Sequence, residues 1–204
     1  MALILSGGLG FLVLVELNLW WRQGRKAGRR LSLHSRLALQ TSALLVLWGA
    51  FAIALLEASH TLAGRSPLDA LFCALFQSVT ARTAGFNTLE ISHLSGPALC
   101  VMMALMFVGA SPGSCGGGVK TTTFAVLLGI VVSRARGRSD TEIHGRRISP
   151  SQVSKALATF AAALCAFALI FFALQITEAG RLGTAAARER FLDLAFESVS
   201  ALGT

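Results

Sequence analysis

Residues Gly109-Ala-Ser-Pro-Gly-Ser-Cys-Gly-Gly-Gly-Val-Lys120 place five glycines and a proline in twelve positions, inside an otherwise apolar run from about Pro97 to Val132. In a helix interior glycine costs about 1 kcal/mol and proline about 3. A segment of membrane length is therefore broken at its centre. Backbone with unpaired N–H and C=O groups survives at membrane depth only when it is buried in protein or lines a watery cavity. The break implies a path through a bilayer, and the remaining apolar segments can be placed around it.

The composition agrees. Of 204 residues, 54% are hydrophobic and 14% charged, the balance of an integral membrane protein. The net charge of +8 does not point to nucleic acid, because the basic residues sit in two short segments and no aromatic residues interleave them. Six lie between Arg22 and Arg36 and six between Arg134 and Lys155. Such clusters beside apolar spans mark cytoplasmic loops. No cleavable signal peptide is expected, since Met1 opens into an apolar run without a basic stretch before it. The four cysteines (Cys73, Cys100, Cys115, Cys165) and four histidines (His34, His60, His93, His144) have no metal-ligand spacing and are assigned no metal.

In order, the apolar spans are expected at about Ala2–Trp21, Leu37–Leu56, Pro97–Val132 and Ala156–Ile176. Glu57 and Glu178 mark outer ends. Between the second and third lies Pro67–Thr80, with Ser66 as helix cap, Pro67 in the first turn and Asp69 close behind. At fourteen residues it falls short of the roughly 20 needed to cross. If it does not cross, both basic segments fall on one side, so a re-entrant helix is expected. The polar turn Ala81-Arg-Thr-Ala-Gly-Phe-Asn-Thr88 follows it.

Phe76-Gln-Ser-Val-Thr-Ala81 returns 120 residues later as Phe196-Glu-Ser-Val-Ser-Ala201, four of six positions identical. The repeated unit is span, short helix, turn, span. The expected divisions are 1–21, closing helix of a preceding copy; 33–132, a complete copy; and 149–204, the first half of the next. The fold class expected is an all-α integral membrane protein of repeated span–re-entrant helix–loop–span units. Units of this kind build cation channels whose loop carbonyls replace the ion's hydration shell. Carbonyls directed into a pore need a backbone that glycine permits, a role Gly85 fills in Thr83-Ala84-Gly85-Phe86. The hydroxyls of Ser78, Thr80 and Thr83 can brace that turn.

Together, Ala81–Thr88 and Gly109–Phe124 resemble the Trk/Ktr/HKT superfamily of potassium transporters, nearest to the bacterial Ktr and Trk membrane subunits. The resemblance runs the length of the chain. It implies four pore repeats around one path in a longer chain, with this sequence holding the end of the second, the whole third and half the fourth. It makes Thr83, Ala84, Gly85 and Phe86 the third filter segment, with K+ held by the carbonyls of Thr83, Ala84 and Gly85, and makes Gly203 and Thr204 part of the fourth. It makes Gly109, Ser111, Pro112, Gly113, Ser114, Gly116, Gly117 and Gly118 a gating loop, followed by Lys120. Cys115 stands where the family leads one to expect Ser or Thr. The function implied is K+ uptake across a bacterial inner membrane without enzymatic activity or cofactor, with Na+ as a second ion left open. Partners implied are the lipid bilayer, a cytosolic nucleotide-binding regulatory subunit and a second copy of the chain.

Two other functions stand beside this one. A secondary cation-coupled transporter also carries broken helices at the bilayer midplane. A P-loop nucleotide enzyme needs Gly directly before Lys, and here Val119 intervenes. Arg82 is expected to face outward at the extracellular mouth, because a bare positive charge opposes a cation path. Lys120 is either an electrostatic barrier and latch or an anchor for loop carbonyls. Glu197 is expected to brace the fourth turn from behind, with Gln77 in the matching place of the third.

Overall fold

The computed structural model describes residues 1–23, 31–82, 84–138, 140–182 and 190–203. It is helical: α1 (Ala2–Leu9), α2 (Phe11–Gln23), α3 (Leu33–Glu57), α4 (Pro67–Thr80), α5 (Gly96–Phe107), α6 (Thr121–Ala135), α7 (Pro150–Leu182) and α8 (Phe191–Gly203). Among the described residues two helices, Leu33–Glu57 and Pro150–Glu178, are long and apolar enough to cross a membrane, and the bent pair α1–α2 makes a third if taken as one span. Their large side chains point outward in numbers: Leu47, Trp48 and Phe51 on α3, Leu169, Phe172 and Ile176 on α7. On a helix this apolar, such a surface is suited to lipid.

α4 starts and stops where its residues dictate. Ser66 Oγ accepts from the Asp69 amide at 3.2 Å, and Pro67 opens the helix. Its N-terminal half leaves Leu68 and Phe72 exposed, while Ala74, Gln77, Ser78, Val79 and Thr80 are buried against α3 and α5. Gly49 of α3 makes this closeness available. A Cβ there would stand 2.5 Å from Ser78 Oγ and 2.6 Å from Leu105 Cδ1. The core between α3, α4, α5 and α8 is built on Leu45, Ile53, Ala74, Met102, Leu105 and Val199. At its outer edge the buried Glu57 carboxylate accepts from the Ser95 amide at 2.9 Å and from Thr61 Oγ1 at 2.7 Å, so the end of α3 is tied to the start of α5.

Two features depart from the expected layout. The first apolar span is not one straight helix: α1 and α2 meet at Gly10 with a bend of 105°. Gly10 has φ +80°, and a Cβ on it would lie 2.4 Å from the Pro112 carbonyl oxygen. The bend follows from close approach to a segment a hundred residues away, which apolarity along the span does not reveal. The second departure is a two-stranded antiparallel ribbon, β1 (Glu142–Ile143) and β2 (Arg146–Arg147), inside the second basic segment. Its turn residues His144 and Gly145 both have positive φ, 52° and 71°, the geometry of a tight hairpin. Ile143 packs on the notch left by Gly129 of α6, and His144 Nε2 lies 2.7 Å from Gln40 Oε1 of α3.

Candidate functional site: a braced turn and a clasped glycine loop

Among the described residues, one hydroxyl holds the turn after α4. Thr80 Oγ1 accepts from the Phe86 amide at 2.9 Å and donates to the Phe86 carbonyl at 2.6 Å. The Ala84 amide donates to the Thr80 carbonyl at 3.1 Å. Gly85 has φ +72°, in the left-handed region where a side chain is strained. Between these fixed points the backbone of 84–86 turns away from the helix, with Gly85 and Phe86 exposed and Ala84 half-buried. Of the three hydroxyls expected to brace it, Thr80 does so. Ser78 Oγ instead donates to the Val46 carbonyl of α3 at 2.8 Å. Thr83 lies outside the described residues, as does Thr204.

The glycine loop between α5 and α6 folds back on itself. The Val119 amide donates to the Phe107 carbonyl at 2.9 Å, the Thr121 amide to Ala110 at 3.2 Å, and the Ala110 amide to Gly117 at 3.4 Å. Ser111 Oγ and Thr121 Oγ1 are 2.8 Å apart, and Ser114 Oγ donates to the Ser111 carbonyl at 2.5 Å. The approach requires glycine at Gly109, where a Cβ would stand 2.1 Å from the Gly117 carbonyl oxygen, and Gly118 adopts φ +69°. Gly113 has φ +74° and Gly116 offers its carbonyl to Lys120 Nζ.

Three other segments grip this loop. At the α1–α2 bend, the Gly8 carbonyl accepts from the Ser111 amide at 2.9 Å, and the Phe11 amide donates to the Gly113 carbonyl at 3.2 Å. From the far side comes the end of α8. A Cβ on Gly117 would lie 2.7 Å from the Gly203 carbonyl oxygen, and one on Gly203 would lie 2.6 Å from the Met106 carbonyl oxygen. Gly203 is still helical, so the structure brings it to the loop as the close-packed end of α8. The third grip is Arg82.

Arg82 does not face outward. It is 7% exposed. Its Nη1 donates to the Ser42 carbonyl at 3.3 Å, and its Nη2 donates to Ser42 Oγ and to the Gly109 carbonyl, each at 3.1 Å. A buried guanidinium must be hydrogen-bonded, and the carbonyl of Gly109, in the loop just past α5, provides an acceptor. That acceptor is 27 residues away, which explains why local reasoning about a charge beside a cation path missed it. Glu197 is exposed, and the fourth turn it is expected to brace lies outside the described residues; Gln77 in the matching place is fully buried with Nε2 3.4 Å from Met102 Sδ. α8 presents that face to a cavity of about 450 Å³ lined also by Arg190 and Asp193.

A family model described as TrkH, cation transport protein, matches residues 1–204. The Ktr system potassium uptake protein D of Bacillus subtilis (strain 168) is 40% identical over 209 residues, covering 100% of this chain and 43% of that protein. The potassium/sodium uptake protein NtpJ of Enterococcus hirae is 33% identical over 204 residues, covering 100% of this chain and 43% of that protein. The crystal structure of the potassium transporter TrkH from Vibrio parahaemolyticus superposes with a TM-score of 0.61 over 98% of this chain and 47% of that one; at 18% identity this is a likeness of fold. The chain thus spans less than half the length of these relatives. The match along the whole sequence removes the P-loop enzyme from consideration, and the chain belongs to the TrkH family of cation transport proteins.

Proposed function

We propose that this chain supplies one complete pore repeat and half of the next to a potassium uptake transporter of a bacterial inner membrane. The carbonyls of Thr83, Ala84 and Gly85 coordinate K+ as one of four filter segments, and residues 109–118 gate the path beneath it. The observation that carries this reading is the turn itself. A helix too short to cross ends in a hydroxyl-braced loop whose glycine is left-handed, so carbonyls are freed from helical bonding just beyond the negative end of the helix dipole. α4 is re-entrant in this reading, supported by its length and by the two basic segments, 22–36 and 134–155, which then share the cytoplasmic side. Lys120 acts as the anchor of the loop, supported by its bond to the Gly116 carbonyl. The relatives' names place potassium, and in one case sodium, among the ions such proteins carry. A cytosolic nucleotide-binding subunit and a second copy of the protein complete the assembly, as the family resemblance implies.

Growth rescue tests it. The full-length protein, expressed in a bacterium stripped of its potassium uptake systems, restores growth at low K+, and Gly85→Ser abolishes the rescue. Rescue by neither form removes K+ as the cargo; equal rescue by both removes Gly85 from the filter.

One observation favours the rival, a cation-coupled transporter. The α1–α2 bend sets a second broken helix against the glycine loop, as discontinuous helices meet at the substrate site of such proteins. Uptake that stops when the Na+ and H+ gradients are dissipated at constant membrane voltage decides for coupling.

A further inference from the structure

Arg82 stands two residues before the described part of the turn and reaches the first residue of the glycine loop. Its backbone belongs to the turn, since its amide donates to the Val79 carbonyl at 3.2 Å and the Ala84 amide bonds to Thr80 beside it. Its side chain belongs to the loop and to α3. The planar guanidinium fork spends Nη1 and Nη2 on Ser42 and Gly109, while Nε, also buried, has no partner among the described residues.

The loop end of this connection is stiff. Gly109 and Gly117 are in backbone contact, so the stretch 116–118 cannot shift without moving Gly109. If Gly109 moves, its carbonyl either leaves a buried cation short of an acceptor, which is costly, or takes the guanidinium with it. Room for the second course exists. A cavity of about 340 Å³ opens beside Arg82, lined also by Ser42, Ala110, Gly8 and Val79.

Resting on the assignment of 84–86 as filter and 109–118 as gate, we infer that Arg82 is a positioning residue that couples the two, so the affinity of the turn for K+ depends on where the glycine loop stands. Ser42 is the fixed post of this device and the Gly109 carbonyl its moving end.

The test is a mutant cycle on the full-length protein in the uptake-deficient strain, reading KM for K+ and competition by Na+, with membrane abundance measured for every variant. Gly117→Ala displaces the loop, because its Cβ meets the Gly203 carbonyl. In the native background it shifts KM for K+ by about fivefold or more. In an Arg82→Gln background the same substitution shifts KM by less than about twofold, the bound for independent sites. Arg82→Lys keeps the charge but cannot span Ser42 and Gly109 together, and gives an intermediate shift. It also serves if Arg82→Gln does not reach the membrane. Equal shifts by Gly117→Ala in native, Arg82→Lys and Arg82→Gln backgrounds overturn the coupling, and so does no shift in the native protein. Gly85→Ser is the control: if it leaves both KM for K+ and Na+ competition unchanged, the filter assignment has failed, and the coupling with it.

Discussion

Ser78 of α4 and Ser198 of α8 hold matching places in the repeated hexapeptide, and both are fully buried. Ser78 Oγ reaches across to the Val46 carbonyl of α3 at 2.8 Å, whereas Ser198 Oγ turns back to the Leu194 carbonyl of its own helix at 2.6 Å. The neighbours account for the difference. α3 carries Gly49 opposite Ser78, and α7 has no glycine between Pro150 and Ala179. The same local residues make the same short helix, and Gln77 is enclosed by Met102 of α5, the span that follows α4, for which α8 has no counterpart among the described residues. In the first copy a notch admits α4, and Gln77 is enclosed. In the second no span follows α8 among the described residues, and Glu197 in the same place is exposed.

The strongest way to break this comparison is to exchange the two residues. Gln77→Glu puts a carboxylate into a fully buried site beside the Met102 thioether, at a cost of about 3–5 kcal/mol. Glu197→Gln, which removes a charge instead of introducing one, costs less than Gln77→Glu. Thermal unfolding of the detergent-purified full-length protein measures both, and equal losses would mean the two helices are packed alike. Next in size is Gly49→Leu, which fills the notch against Ser78 and Leu105 and costs about 1–3 kcal/mol. The same unfolding assay should show a loss there, and an unchanged midpoint would remove the notch as the reason α4 sits so close. The smallest contrast sharpens the picture most finely. Ser78→Ala loses a bond between helices, about 1 kcal/mol, while Ser198→Ala gives up a bond within its own helix turn and changes stability by less than about 0.5 kcal/mol.

Much of the architecture was legible because it rests on local chemistry. Ser66, Pro67 and Asp69 announce the start of α4, and the structure gives the helix the same ends, Pro67–Thr80. The glycines of 109–118 announce a break, and α5 and α6 stop and start around it. Gly85 was legible as the left-handed residue of its turn. What escaped depends on partners distant in sequence. Gly10 lies in a run whose apolarity suggests one straight span, and its bend answers to Pro112. Arg82 carries a charge that local reasoning sends outward, yet its acceptors are Ser42 and Gly109. The ribbon at 142–147 had a local signal in His144-Gly145, overlooked because a run of arginines suggests only a solvated loop. Lys120, for which two roles stood open, now has a carbonyl partner in Gly116.

The grip of the α1–α2 bend on the glycine loop also sets a timetable for synthesis. The Gly8 carbonyl and the Phe11 amide are made about a hundred residues before the loop they bond, so they are already waiting when Ser111 and Gly113 leave the ribosome. The packing face at Gly203 arrives some ninety residues later still. An irregular stretch that a bilayer would reject is thus received by a docking partner inserted beforehand, and the later helix closes over a loop already in place. Deleting residues 1–21 alone would then strand the loop at birth, even with every residue of the loop intact.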